Sequence, residues 1–243
     1  MNTIYVVGIG PGAYEKMTVE AAQVLKSCDV IVGYTVYVDL VKEHFPGKEF
    51  LTTPMKREAE RCELAFREAE KGRKVAMICS GDAGVYGMSG LMYEIGEQYP
   101  DTELRIIGGL TAATSGAAVL GAPLIHDFAV ISLSDLLTHW EKIEKRILAA
   151  AEADFVICLY NPSSRKRHDY LQKACDLVLR YQKPETVCGY VKNIGREGEE
   201  GHVLTLEQLR GTEVDMFTTV WIGNSQTREL RGKMVTPRGY RNV

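Results

Sequence analysis

Ser80-Gly81-Asp82-Ala83-Gly84-Val85-Tyr86-Gly87 places three glycines, a carboxylate and an aromatic ring directly after an apolar run at 74–79. A tight turn needs one or two of those glycines. A surface that admits a ligand to the backbone uses all three. Asp82 has two open readings: a cap for the turn that follows, or an acceptor for the hydroxyl or ammonium hydrogens of a ligand. A second glycine turn, Gly8-Ile9-Gly10-Pro11-Gly12, closes another apolar run. It departs from the dinucleotide fingerprint, because Ala13 stands at the last glycine position and Pro11 removes a backbone donor that a phosphate cradle would use. The next apolar run ends Val32-Gly33-Tyr34, with no acid for a ribose. A third turn, Gly108-Gly109-Leu110-Thr111-Ala112, offers Thr111 as a helix cap or a ligand contact.

The second half carries different chemistry. In Tyr160-Asn161-Pro162-Ser163-Ser164-Arg165-Lys166-Arg167-His168 the basic residues stand where a helix is expected to open. Cations there oppose the helix dipole unless an anion is bound, so Arg165, Lys166 and Arg167 are candidates for a polycarboxylate, or else a solvated basic helix start. His126-Asp127 precedes Phe128-Ala129-Val130-Ile131-Ser132-Leu133-Ser134-Asp135. Neighbours on an extended chain point opposite ways, so His126 and Asp127 are not expected to form a bonded dyad. No nucleophile elbow, triad order or P-loop lysine is present. The six cysteines show neither CxxC spacing nor a metal-ligand cluster. They read as small buried hydrophobes in a reducing compartment, and no resident metal is expected.

These turns need strands and helices to hold them. Over 243 residues, 45% hydrophobic content supplies a sizeable core, and a net charge of -3 gives no footprint for nucleic acid. No apolar run reaches the roughly 18 residues that span a bilayer. The N-terminus enters a strand without a basic leader. A cytoplasmic protein with no nucleic-acid or membrane partner is the expectation. Strands at 4–7, 30–32, 49–51, 75–79 and 104–107 alternate with helices at 18–27, 35–45, 56–71, 88–98 and 112–120, which predicts a parallel sheet covered on both faces. Gly121-Ala122-Pro123 breaks the pattern. Strands at 128–133, 155–159, 186–190, 202–206 and 217–222, with helices at 139–151 and 165–181, predict a mixed second sheet. The fold class is therefore α/β in two domains, 1–121 with a mainly parallel sheet and 122–243 with a mixed one.

Taken in order, the motifs resemble those of the tetrapyrrole (corrin/porphyrin) methyltransferase family. The opening turn at 7–12, Gly81-Asp82 with Tyr86-Gly87, and Thr111-Ala112 match its three signatures, although many members have proline where Ala83 stands. The likeness runs over nearly the whole chain. Segments 126–135, 159–165 and 215–225 are most similar to the branch that methylates C17 of precorrin-3B or cobalt-factor III and contracts the ring on the way to cobalamin. Sister enzymes that methylate C11 or C20, and a tetrapyrrole carrier without catalysis, are the alternatives. The resemblance implies S-adenosylmethionine as methyl donor, a tetrapyrrole substrate, a homodimer and an active-site cleft between two α/β domains. It implies Gly10, Pro11, Gly81, Asp82, Val85, Tyr86, Thr111 and Ala112 on one side of the cofactor and Tyr160, Asn161, Lys192, Asn193, Thr218 and Thr219 on the other. Arg165, Lys166 and Arg167 would then meet substrate carboxylates. Ring contraction would call on a proton donor or acceptor, for which His126, Ser132, Ser134 and Asp135 are the candidates.

Overall fold

The computed structural model describes residues 2–164 and 167–240. They divide into two compact units, 1–111 and 112–243.

In the first unit the strands are β1 (Asn2–Gly8), β2 (Val30–Tyr34), β3 (Glu49–Thr53), β4 (Val75–Cys79) and β5 (Thr102–Ile107). They form one parallel sheet in the order β3-β2-β4-β1-β5. Every residue of β4 is buried, which is why it reads as an unbroken apolar run. Alternate side chains serve opposite faces. Ile4, Val6, Val32 and Met77 pack with Phe66 and Met92 of α3 (Glu58–Glu70) and α4 (Ser89–Gly96). Val7, Ile31, Ala76 and Ile78 pack with Leu25 and Val38 of α1 (Val19–Ser27) and α2 (Thr35–Val41). Thr18 caps α1, its Oγ1 accepting from the Ala21 N–H at 3.1 Å. The helix expected over 35–45 is α2 followed by a 3-10 turn at Lys42–His44.

The second unit begins with α5 (Ala112–Leu120), ten residues ahead of the expected boundary at 121/122. The reason is packing. Ala113, Ala117 and Leu120 bury against Trp221, Val191 and Met234, and the Trp221 indole donates to the Ala113 carbonyl at 3.2 Å. Gly121–Ala122 is not a linker but a short strand, β6. The main sheet comprises β7 (Phe128–Ser132), β8 (Val156–Tyr160), β9 (Val187–Lys192), β10 (Glu200–Thr205) and β11 (Thr218–Ile222), in the order β10-β9-β11-β8-β7. β7 and β8 are parallel, whereas β11 runs against both β8 and β9, and β10 against β9. The sheet is mixed, as expected. Its second face carries α6 (Trp140–Glu152), α7 (Tyr170–Val178) and α8 (Leu206–Arg210), with Ile147, Leu171, Cys175 and Leu209 in that core. A hairpin of β12 (Arg228–Leu230) and β13 (Lys233–Val235) pairs with β6; periodicity gave no sign of these three short strands.

Candidate functional site

In the first unit the three glycine turns meet at the carboxyl ends of β1, β4 and β5. Gly10 and Gly81 exchange backbone hydrogen bonds, Gly10 N–H to Gly81 O at 3.0 Å and Gly81 N–H to Gly10 O at 2.7 Å. Gly10 has φ +74, and a Cβ there would stand 2.6 Å from the Lys16 carbonyl. Only glycine permits that crossing. Asp82 supplies the other junction. Its Oδ1 accepts from the N–H of Gly84 (2.8 Å) and Val85 (3.2 Å), and its Oδ2 from the N–H of Gly109 (2.9 Å). Of the two readings for this carboxylate, the turn cap is present. A carboxylate has about four lone-pair sites, so these three bonds leave room for one more donor. Thr18 Oγ1 donates to Gly108 O at 3.3 Å and ties the third turn to α1.

Gly10, Pro11, Gly81, Asp82, Val85, Tyr86 and Thr111 thus belong to one rim of linked turns. Tyr86 is 56% exposed with φ +53, a conformation that turns the backbone sharply. Cys79, just ahead of the turn, is no nucleophile: burial pushes its thiol up to about 11.

The second unit collects its candidates at one end of the mixed sheet. Ser132 ends β7 beside Tyr160 at the end of β8, and Lys192 at the end of β9 is paired with Thr218 at the start of β11. Asn161 (φ +54) and Asn193 (φ +50) follow two of these strands in the left-handed region that asparagine tolerates. The Tyr160 hydroxyl accepts from the Ala113 N–H at 2.8 Å, so Ala112 opens α5 close to the end of β8. Thr218 and Thr219 are buried, and Thr218 donates to Asp215 Oδ1 at 2.9 Å. Lys192 forms no ion pair among the described residues.

Beside them is a hydrogen-bonded group at the end of β7. Ser132 Oγ accepts from Asn161 Nδ2 (2.9 Å) and from the Ser134 N–H (3.2 Å). Arg167 donates from Nη1 to Ser134 Oγ (2.7 Å) and Asp135 Oδ1 (3.2 Å), and from Nε to Ser164 Oγ (3.1 Å). The Tyr170 hydroxyl donates to Asp135 Oδ2 at 2.6 Å. Tyr170 foremost, then Arg167, holds the Asp135 carboxyl below the usual carboxylate range. An ionised, doubly bonded Asp135 positions Arg167 and donates no proton at neutral pH. The sequence reading passed over Tyr170 and Ser164; their only signal was spacing, three residues to either side of Arg167.

Two expectations need correction. The helix predicted from 165 begins at Tyr170, so Arg167 sits in the preceding loop and reaches back to Asp135 rather than opposing a helix dipole. Arg165 and Lys166 lie outside the described residues. His126 does not join Ser132, Ser134 and Asp135. It precedes β7, whereas they end or follow it, so the five-residue strand stands between His126 and Ser134 or Asp135. It lines a cavity with Asp127, Phe155, Asn224 and Gln226 at the opposite end of the sheet. Among the described residues no group of three or more His, Cys, Asp or Glu could hold a metal, and no helix is long and apolar enough to cross a membrane.

Residues 3–210 match the family of tetrapyrrole (corrin/porphyrin) methylases. The chain is 50% identical, over 97% of its length and 98% of the relative's, to a probable cobalt-factor III C(17)-methyltransferase of Salmonella typhimurium. It is 43% identical, over 98% of its length but only 45% of the relative's, to a cobalt-factor III methyltransferase of Priestia megaterium. The crystal structure of the methyltransferase CobJ superposes with a TM-score of 0.88 at 32% identity, covering 98% of this chain and all of that one.

Proposed function

Because the chain belongs to the tetrapyrrole (corrin/porphyrin) methylase family, we propose that it transfers a methyl group from S-adenosylmethionine to C17 of cobalt-factor III or precorrin-3B, with ring contraction, in cobalamin biosynthesis. The observation that carries this reading is the full-length 50% identity to a relative named for that reaction. The glycine rim of the first unit suits the donor. Its turns bring backbone within reach of a ligand, it lacks a phosphate cradle, and Asp82 keeps one acceptor position for a hydroxyl or ammonium group. S-adenosylmethionine supplies an already activated methyl, so what the protein adds is orientation and exclusion of water.

The rim of the second unit suits the remaining contacts. Tyr160, Asn161, Lys192, Asn193, Thr218 and Thr219 are the proposed contacts to the donor. Arg167, held by Asp135, Ser134 and Ser164, keeps Nη2 for a substrate carboxylate. Ser132 and Ser134 shape this end of the sheet, and among the described residues no histidine is bonded to them as a base. The test is direct: incubate the protein with S-adenosylmethionine and either cobalt-loaded or metal-free trimethylated tetrapyrrole, then compare product mass and visible spectrum. One added methyl at C17 in a contracted ring supports the reading. Methyl addition at C11 or C20 assigns a sister activity, and binding without turnover makes the protein a carrier.

A further inference from the structure

Arg61 is a buried cation with no carboxylate. It lies in the first turns of α3, is 5% exposed, and has no acidic partner among the described residues. Its Nε donates to Thr53 Oγ1 at 2.9 Å, and its Nη2 to the carbonyls of Pro54 (3.1 Å) and Thr53 (3.4 Å). The Tyr34 ring lies beneath the guanidinium, 5.7 Å from Cζ to its centroid. Three of the five guanidinium donors are used, and both hydrogens of Nη1 are left over. Nη1 is not fully sealed, since the one sealed side-chain polar atom without a partner among the described residues is Ser115 Oγ.

Two costs meet at this residue. Withdrawing an unpaired guanidinium from water is unfavourable. A cation in the first turns of a helix also opposes the dipole. Bonds to neutral carbonyls hold the side chain in place but leave its charge uncompensated. Bracing the loop after β3 needs donors, not a charge. A ligand carboxylate at Nη1 would relieve both costs through a charge-assisted bond.

The position in the sheet narrows the ligand. Tyr34 ends β2 and Thr53 ends β3, so Arg61 is anchored at the same carboxyl rim as the glycine turns. β3 lies two strands from β4, whose end carries Asp82, a step of about 10 Å. A broad macrocycle with peripheral carboxylate arms reaches across that step. The donor's own carboxylate is the other source of the same chemistry. We propose that Arg61, backed by Tyr34 and Thr53, is a subsite for a carboxylate arm of the tetrapyrrole and a specificity-determining residue of the first unit. This rests on the methyltransferase reading for the identity of the ligand.

The test compares wild type, Arg61→Gln and Arg61→Lys. Uroporphyrin I, a tetrapyrrole with carboxylates on every ring, is titrated by fluorescence, and S-adenosylhomocysteine by calorimetry. Arg61→Gln is expected to weaken uroporphyrin I binding about tenfold or more, and Arg61→Lys by a smaller factor because the ammonium lacks the fork. S-adenosylhomocysteine affinity stays as in wild type. Wild-type affinity for uroporphyrin I in a folded variant overturns the proposal, and so does a loss that falls on S-adenosylhomocysteine instead. If Arg61→Gln shows no cooperative unfolding, Arg61→Lys decides by the same criteria. Turnover of cobalt-factor III by wild type is measured separately. Failure there, with Arg61-dependent uroporphyrin binding intact, sinks the methyltransferase reading and leaves this subsite standing.

Discussion

Asp82 joins two turns through one carboxylate, so its removal acts on structure and ligand together. Asp82→Ala leaves the N–H groups of Gly84, Val85 and Gly109 without their acceptor. We expect a stability loss of about 1–3 kcal/mol and weaker S-adenosylhomocysteine binding, measured by urea unfolding and calorimetry. Unchanged affinity with lowered stability would confine Asp82 to bracing the turn. Asp135 makes a different prediction, in pH. Its folded pKa is depressed by the Tyr170 hydroxyl and then by Arg167. The stabilisation is therefore present above the unfolded carboxylate pKa of about 3.9 and lost as pH falls through the lower folded value. Asp135→Asn should unfold at lower urea than wild type near neutral pH, with the gap narrowing below about pH 4. A gap independent of pH would mean that the charge on Asp135 is not what matters. The turn cap by Asp82 was one of two readings open beforehand, whereas its bond to Gly109 and the partners of Asp135 were not legible, because only tertiary contact reveals which distant donors face an acid after a strand.

At the scale of elements, the strand ends depend on close backbone approach. A Cβ on Gly8 would stand 2.7 Å from the Gly81 carbonyl and 2.8 Å from the Gly109 nitrogen. Both neighbours are backbone atoms that hold the rim together, so Gly8→Ala should cost about 1–3 kcal/mol and reduce S-adenosylhomocysteine affinity as well. Wild-type stability and affinity in that variant would show that the turns can spread freely. The inner strands β2 and β4 were legible because burial on both faces leaves continuous apolar runs, and 75–79 was read to the residue. The start of α7 was not. Arg favours helices locally, yet Arg167 lies ahead of the helix and pairs with Asp135, a tertiary contact that propensity does not report. The separation of His126 from Asp135 was legible in principle. Residues on either side of a five-residue strand stand at opposite ends of it, whatever their chemistry.

The chain forms two compact units, and the unit boundary lies ahead of the break that the sequence suggests. Gly121-Ala122-Pro123 reads as a break, but the small-residue face of α5 belongs against Trp221, a partner more than a hundred positions away. The six cysteines make the two cores separately observable. Cys28, Cys62 and Cys79 lie in the first unit and Cys158, Cys175 and Cys188 in the second, all buried and unpaired. Burial pushes Cys28 to about 11, Cys62 to about 12 and Cys175 to about 12, and raises Cys158 and Cys188 as well. At pH 8 these thiols are protonated and shielded, so alkylation of each requires its unit to open. A ligand bound only to the folded state, at about 100 times its Kd, stabilises by about 2.7 kcal/mol and slows opening-limited labelling to match. In mild urea, S-adenosylhomocysteine should therefore protect Cys79, one residue before the glycine turn, and with it Cys28 and Cys62. Pulsed alkylation read by mass spectrometry gives the rate at each site. If Cys79 labels equally fast with and without the ligand while second-unit cysteines are protected, the glycine rim is not where the donor is held.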